Sequence, residues 1–298
     1  MTPRRRKSVR SQVPAEYPDV KRGIRIQKLL AESGVASRRT CEKMITDGRV
    51  KVNGKIVNTL PAWVDPEHDC VEVDGQNLPR TVGRRRPEKK VYVLLHKPRH
   101  VITTSHDPHD RRTVFDLVDL PPSVAKRLFA VGRLDAESTG LILLTNDGPL
   151  ANRLTHPRYE VPKQYQVSVR GRLSENDIRQ LRSGLYLSLK SGSGAKQVRA
   201  KRTGMAGVKL VGHERDRTRG DRTTLLVTLR EGRNREIRRL IAQLGHKVRR
   251  LERVAIGPLK LRGLAVGQWR RLNRREISTL LKSAGMESTT SPPTKIDL

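Results

Sequence analysis

The sequence predicts an α+β protein with a small N-terminal domain and a larger domain built on a mixed, mostly antiparallel sheet. Its 298 residues are enough for one small and one larger domain. After residue 90, short strand patterns recur with few long helical patterns between them. A polar, basic segment at residues 81–90 contains Gly83 and Pro87 and is typical of a linker. We therefore expect two separately folded domains.

The first domain is predicted to span residues 23–80 and to follow a disordered basic tail at residues 1–22. Ser37 is a suitable N-cap for a helix, because its hydroxyl can accept a backbone N–H of the first turn. Asn53 and Gly54 lie between strand-like residues and form a strong hairpin signal. The predicted elements are helices at residues 24–33 and 37–47, a hairpin at 50–57 and a strand at 71–73.

The second domain is predicted to span residues 91–282, followed by a disordered tail at residues 283–298 that is rich in Ser, Thr and Pro. Residues 141–144 form a short apolar run closed by Asn-Asp-Gly at 146–148, which is typical of a buried strand that ends in a turn. The other predicted elements are strands at 91–95, 161–169 and 225–229 and helices at 150–156, 174–183 and 234–244.

Three segments of the second domain allow more than one interpretation. Lys97 follows the first strand and either contacts phosphate or is a plain strand terminus. Residues 106–110 contain metal-capable side chains, but without a second such cluster we interpret them as a solvated loop. Residues 191–223 are rich in Gly, Arg and Lys and predict an extended basic loop or a pair of weak strands.

Charge is the most informative feature of the composition. The chain has 62 Lys and Arg against 30 Asp and Glu, a net charge of +32, and such a field attracts polyanions, above all nucleic acid. Two cysteines, Cys41 and Cys70, are typical of a reducing cytoplasm and not of a disulfide framework. No apolar run is long enough to span a bilayer, so we expect no membrane partner.

The central motif of the second domain is the polar stretch that leads into the apolar run at residues 141–144. It places Arg133 and Asp135 two residues apart, between glycines. A carboxylate held beside a buried strand with cations nearby is a candidate for chemistry. The residues alone also permit a surface turn in which Asp135 accepts hydrogen bonds from backbone amides.

This stretch resembles the signature of the pseudouridine synthases that act on ribosomal RNA and carry an S-four-type RNA-binding domain. The shared residues are Gly-Arg-Leu-Asp at 132–135, Ser-Thr-Gly-Leu at 138–141 and Thr-Asn-Asp-Gly at 145–148. A second motif, Lys-x-Tyr-x-Val, begins at Lys163. The third motif, at residues 231–239, has Glu where Gln is more usual and is most similar to that of the large-subunit enzymes.

The first domain resembles the S-four-type RNA-binding domain itself. The similarity rests on residues 34–39, 48–50 and 52–54. It implies a basic RNA-binding face, which would be formed by Arg25, Lys28, Arg38, Arg39, Arg49 and Lys51, each of which on its own could equally be a solvated surface cation.

The resemblance implies site-specific isomerisation of uridine to pseudouridine in ribosomal RNA, most similar to the 23S enzymes, in a cleft along one face of the sheet. The base is flipped out, and Asp135 acts as the nucleophile on the sugar or assists elimination there. Arg233, or alternatively Arg238, would be the counter-ion of Asp135. Tyr165 would pack against the uracil and help to remove the C5 proton. Further RNA contacts would come from Arg133, Lys163, Arg235 and Arg238.

The same resemblance implies no cofactor, a monomer in the cytoplasm, and ribosomal RNA as the partner. Two alternatives stay open from the sequence. One is the same chemistry on small-subunit rRNA or tRNA, which the appended RNA-binding domain and the form of the third motif disfavour. The other is a non-catalytic RNA-binding factor of ribosome assembly, against which the combination of Asp135, Tyr165 and Arg233 argues.

Overall fold

The computed structural model describes residues 17–79, 89–105, 107–189, 199–215 and 220–286. The chain divides into two compact units, Met1–Lys89 and Lys90–Leu298. Most of the predicted linker, residues 81–88, lies outside the described residues, as do residues 1–16 and 287–298.

The first unit packs two helices against short strands. A turn of 3-10 helix at Val20–Arg22 precedes the first strand. The helices are α1 at Ile26–Glu32 and α2 at Arg38–Thr46, and the strands are β1 at Ile24–Arg25, β2 at Val50–Val52, β3 at Lys55–Ile56, β4 at Trp63–Val64, β5 at Val71–Val73 and β6 at Gln76–Asn77. β1 pairs with β4, and the other four strands form a sheet in the order β3-β2-β5-β6.

Two local predictions for the first unit, a helix cap and a hairpin, are confirmed. The Ser37 hydroxyl accepts the backbone N–H of Thr40 and caps α2, and the predicted hairpin forms between β2 and β3. Two boundaries are wrong. The helix predicted from residue 24 begins at Ile26, because β1 pairs with β4. The predicted tail at 1–22 includes Tyr17, which is fully buried and donates its hydroxyl to the carbonyl of Val52 at 2.9 Å.

The second unit is a mixed sheet with helices on both faces. In chain order its elements are β7 at Tyr92–Lys97, α3 at Pro122–Ala125, β8 at Phe129–Ala130, β9 at Thr139–Thr145, α4 at Gly148–Thr155, β10 at Lys163–Arg170, α5 at Glu175–Ser183, β11 at Leu185–Leu189, β12 at Arg199–Thr203, β13 at Gly207–Glu214, β14 at Arg222–Leu229, α6 at Glu236–Gln243, β15 at Lys247–Ile256, β16 at Leu259–Lys260, β17 at Trp269–Arg271 and α7 at Arg274–Ser283.

The strands of this sheet follow the order β13-β14-β10-β15-β9-β7-β17, and off this path β8 pairs with β9 and β16 pairs with β15. Among the described strands only β15 and β9 pair in parallel, and the other pairs are antiparallel. The predicted α+β class with a mixed, mostly antiparallel sheet is therefore confirmed. The weak strands predicted within residues 191–223 are β12 and β13, with residues 190–198 and 216–219 outside the described part.

Two apolar cores explain why β7 and β9 are buried along their whole length. On one face, Leu141 and Leu143 of β9 share a core with residues of α4 and α7. On the other, Ile142 and Leu144 share a core with residues of α5 and α6. A strand covered on both faces has continuous apolar sequence, which is the pattern that predicted it.

Three element boundaries in the second unit differ from the prediction. Asp147 does not simply end β9 in a turn, because its side chain accepts the N–H of Leu150 and caps α4. α6 begins at Glu236 and not near residue 234. The predicted tail from residue 283 is wrong at its start, since α7 includes Ser283 and Ala284 is buried.

Gly140 fixes the close approach of β9 and β15. It has φ +111° and pairs with Arg253 across the parallel ladder. A Cβ at this position would lie 2.3 Å from the carbonyl oxygen of Arg253, so no larger residue fits without moving one strand. The loop that leads into β9 is thereby held against the middle of β15.

Candidate active site

A cleft of about 670 Å³ opens in the second unit between the loop before β9 and the segment before α6. Its floor is formed by residues of β10 and β15. Six of the predicted site residues of this unit line it, namely Arg133, Asp135, Lys163, Tyr165, Arg233 and Arg235. Arg238 does not.

The loop that carries Asp135 is fastened to β7 by a buried lysine. Lys97 has no exposed surface, and its Nζ donates to the carbonyl oxygens of Pro98 at 2.8 Å, Ala136 at 3.3 Å and Ser138 at 2.7 Å. Burial lowers the pKa of Lys97 to about 8, and the charge of Asp135 opposes that shift. Lys97 is the last residue of β7, as one interpretation of the sequence has it, but its buried ammonium holds the loop and is not exposed for a phosphate contact.

Backbone contacts complete the attachment of this loop. The N–H of His100 donates to the carbonyl of Ala136 at 2.7 Å, and the N–H of Ser138 donates to the carbonyl of Asp135 at 3.0 Å. The Thr103 hydroxyl donates to the carbonyl of Leu134 at 3.1 Å. Asp135 thus sits on a fixed backbone, while its side chain keeps 35% of its surface exposed in the cleft.

The ion pair of Asp135 is with Arg235, and the predicted pairing with Arg233 is wrong. Arg235 Nη1 lies 3.7 Å from Asp135 Oδ2. Arg235 has φ +48°, a left-handed conformation immediately before α6, so it lies ahead of the helix and not within it as the predicted range 234–244 implies. Arg233 instead pairs with Glu231 at 2.9 Å and donates to the Thr203 hydroxyl at 2.6 Å.

Arg238, the alternative counter-ion, pairs with Glu137 and not with Asp135. Its side chain is mostly buried, and Nη1 lies 3.9 Å from Glu137 Oε2. Burial lowers the pKa of Arg238, and the charges of Glu137 and Asp135 oppose this. Arg235, just before α6, and Arg238, within it, therefore place two positive charges beside the carboxylates at 135 and 137.

Glu236, which stands where Gln is more usual, has a structural contact in its own right. It is 4% exposed, and its Oε2 accepts the backbone N–H of Arg233 at 3.0 Å. Burial raises the pKa of this carboxyl. An amide oxygen could accept the same hydrogen bond, so the departure from the usual motif preserves the backbone contact.

Tyr165 and Lys163 lie two residues apart on one face of β10 and are both buried at the cleft floor. Tyr165 is opposite Arg253 of β15 in the register of the sheet. Lys163 Nζ donates to the carbonyl of Val161 at 3.0 Å, and burial next to the Arg253 charge lowers the pKa of Lys163 to about 8.

Arg253 was not among the predicted residues, although it is the largest fully buried side chain of the described structure. Its Nε donates to the carbonyl of Leu141 at 2.8 Å. The signal was present in the sequence: Leu251, Arg253 and Ala255 alternate along a strand, and the two apolar neighbours indicate that the arginine shares their buried face.

The predicted RNA-binding residues of the first unit are partly engaged with other side chains. Arg25 stacks over the Trp63 ring at 5.5 Å. Lys28 and Arg38 each lie 3.8 Å from Glu32. The Nε of Arg49 bonds to an Asp74 oxygen at 2.8 Å, while Arg39 and Lys51 are exposed.

Within the described ranges, no group of three or more His, Cys, Asp or Glu side chains could hold a metal ion. Of the metal-capable loop, His106 is outside those ranges, and Arg111 holds the pKa of Asp107 well below its usual range. Among these same residues, no helix has the length and apolar character needed to cross a membrane.

Known families match parts of both units. Residues 91–243 match the RNA pseudouridylate synthase family, and residues 24–60 match the S4 domain. An uncharacterized RNA pseudouridine synthase of Aquifex aeolicus is 41% identical over 269 residues, 89% of this chain and 96% of the relative. The ribosomal large subunit pseudouridine synthase B of Bacillus subtilis is 38% identical over 256 residues, 86% of this chain and 95% of the relative.

Among solved structures, a crystal structure of a pseudouridylate synthase superposes with a TM-score of 0.54 at 28% identity, covering 87% of this chain and all of the other. The region matched by the family, residues 91–243, contains the loop of Asp135, the strand of Tyr165 and all of α6. With an S4 domain ahead of it, this chain belongs to the family of RNA pseudouridylate synthases.

Proposed function

We propose that the protein converts a specific uridine of large-subunit ribosomal RNA to pseudouridine, with Asp135 as the nucleophilic carboxylate. The observation that carries the proposal is the placement of Asp135. Its backbone is fixed by Lys97 and its carboxylate faces Arg235 in a cleft that also contains Tyr165. The choice of substrate is supported by the names of relatives, including the Bacillus subtilis large-subunit enzyme.

The reaction breaks the bond between N1 and the sugar C1′, turns the uracil, and joins C1′ to C5, after which the C5 proton leaves. A stacked base must first be flipped into the cleft, at a cost of a few kcal/mol. Asp135 begins either route, by adding to C1′ or by assisting elimination at the sugar. Substrate and product have the same composition and oxidation state, so the chemistry requires no redox partner.

The neighbouring residues have complementary roles in this proposal. Arg235 is the counter-ion of Asp135, and Arg238 pairs with the neighbouring Glu137. Tyr165 packs against the uracil and helps to remove the C5 proton. Arg133 binds a phosphate beside the extruded nucleotide. Arg233 lines the cleft but is engaged with Glu231, so it contributes by ordering the segment before α6.

All of these residues come from one chain, so a monomer is sufficient for the reaction. The first unit supplies further RNA contacts through its basic residues, with ribosomal RNA as the partner. Two free cysteines, Cys41 and Cys70, are consistent with a cytoplasmic site of action.

The test is to incubate the purified full-length protein with unmodified transcripts of 23S rRNA, 16S rRNA and tRNA and to map pseudouridine in each. We expect modification at one site or a few neighbouring sites of 23S rRNA only. Modification of 16S rRNA or tRNA instead would overturn the substrate assignment. Absence of pseudouridine in all three would favour the non-catalytic assembly factor.

A further inference from the structure

Arg253 is a buried cation whose charge has no described acidic partner. Only 2% of its surface is exposed, and no carboxylate lies within ion-pair distance among the described residues. Its Nε bonds to a backbone carbonyl, but its Nη2 is buried without a hydrogen-bond partner in that part of the chain. A buried guanidinium with an unsatisfied donor is costly unless something else binds it.

A second buried cation lies beside it. Lys163 is 8% exposed, and its described hydrogen bond is to the backbone carbonyl of Val161. Burial lowers the pKa of Lys163, and the positive charge of Arg253 lowers it further. Both side chains belong to neighbouring strands, β10 and β15, and both line the cleft. Two adjacent buried cations repel each other, and an anion between them would reverse that cost.

Gly132 lies directly beside the guanidinium. This residue has φ +73°, and a Cβ there would be in ordinary contact with both neighbours, at 3.8 Å from Arg253 Nη1 and 3.7 Å from Thr155 Cγ2. Gly132, Thr155, Lys163 and Arg253 all belong to the cleft lining.

We propose that Lys163 and Arg253 form a binding site for one phosphate of the RNA backbone, the phosphate attached to the nucleotide whose base enters the cleft. Lys163 is two residues from Tyr165 along β10, a separation of about 7 Å, and Arg253 is opposite Tyr165 in the sheet. A base packed on Tyr165 therefore has its own phosphate within reach of both cations. A fixed phosphate would hold the sugar while the base turns. This proposal rests on the proposed function.

The probes are uridine, uridine 5′-monophosphate and uridine 3′-monophosphate, titrated into the full-length protein by calorimetry in phosphate-free buffer. One of the two monophosphates should bind at least tenfold more tightly than uridine, because a hydrogen bond to a charged group contributes on that scale. Lys163→Met, which keeps the length and removes the charge, should reduce this preference to less than about threefold. The control Lys126→Met, at an exposed lysine outside the cleft, should keep it.

Salt dependence with substrate RNA gives an independent readout. Loss of one phosphate contact to a single strand lowers the slope of log binding constant against log salt by about 0.7. We expect this change for Lys163→Met at a Tm close to that of the wild type, since the substitution removes a buried charge. A lower Tm with an unchanged slope would instead assign Lys163 a structural role and overturn the proposal.

Arg253→Met is the second variant and should also abolish the preference for the monophosphate. If it does not fold, the Lys163→Met result decides alone. Equal binding of uridine and both monophosphates by the wild type would overturn the phosphate site. The outcomes for the phosphate site and for the reaction can be distinguished. If the wild type forms pseudouridine but Lys163→Met changes neither the monophosphate preference nor the salt slope, only the site is refuted. If the wild type prefers a monophosphate but forms no pseudouridine, only the reaction is refuted.

Discussion

Lys97→Met tests whether the buried lysine positions the catalytic loop or merely stabilises the fold. The substitution removes the ammonium that binds the carbonyls of Pro98, Ala136 and Ser138 but retains an unbranched side chain of similar length. Ala136 keeps a second partner in the N–H of His100 at 2.7 Å. The carbonyls of Pro98 and Ser138 therefore bear most of the loss, at about 1–3 kcal/mol each.

Removal of the charge offsets this loss. The pKa of Lys97, lowered from 10.5 to about 8, corresponds to roughly 3 kcal/mol spent on burying the ammonium. The free energy of unfolding should therefore fall by no more than about 3 kcal/mol. Turnover should fall by roughly 100-fold, because a displacement of about 1 Å in a reacting group has that effect.

The assays are urea unfolding, single-turnover release of tritium from C5-labelled uridine in rRNA, and amide hydrogen exchange. The amides of Ser138 and His100, both bonded within this loop, should exchange faster in Lys97→Met. Lys126→Met, at an exposed lysine, is the control and should match the wild type in all three. Wild-type turnover together with unchanged exchange at both amides would refute the positioning role.

Three further predictions follow from the sheet and the domain division. Gly140→Ala should lower the free energy of unfolding by about 3 kcal/mol or more, because its Cβ would overlap the backbone of β15. The control is Gly148→Ala, whose Cβ would have no atom within 4 Å and which should change this free energy little. Urea unfolding measures both. The free energy of unfolding should not respond to the lysine titrations below pH 8 and should rise between about pH 8 and 10.5, because folded Lys97 and Lys163 lose protons that the unfolded chain still holds. In unfolding curves measured over this pH range, Lys97→Met should show a smaller rise than the wild type, because the contribution of Lys97 is removed. The fragment from Lys89 onward should melt cooperatively but bind rRNA more weakly than the full chain; loss of a cooperative transition would show that the two units share one core.

The sequence predicted the elements whose signals are local. β9 was recognisable because a strand buried on both faces is apolar throughout. Ser37 was recognisable as a cap because its hydroxyl bonds within its own first turn, and the structure shows this bond. The motif loop was found through resemblance, since an aspartate in a turn has the same local sequence whether it caps or catalyses.

The pairing of charges could not be predicted, because it depends on contacts between distant segments. Arg233 and Arg235 are equivalent in the sequence pattern, and the left-handed backbone at Arg235 decides which one reaches Asp135. Lys97 was recognisable as a strand terminus, but its burial was not, because it depends on the carbonyls of Ala136 and Ser138 far along the chain. Tyr17 gave no periodic signal, yet its ring completes the core of the first unit.

The most direct test of the central claim is tritium release from C5-labelled uridine in 23S rRNA by Asp135→Asn. This substitution keeps the size of the side chain and removes its charge, and the loop contacts made by the backbone are retained. Asp119→Asn, at an exposed aspartate outside the cleft, is the matched control and should release tritium at the wild-type rate. We predict that Asp135→Asn releases tritium only at background while its RNA affinity changes by less than about tenfold, since affinity depends on many cations. Release by Asp135→Asn at the wild-type rate would contradict the assignment of Asp135 as the nucleophile.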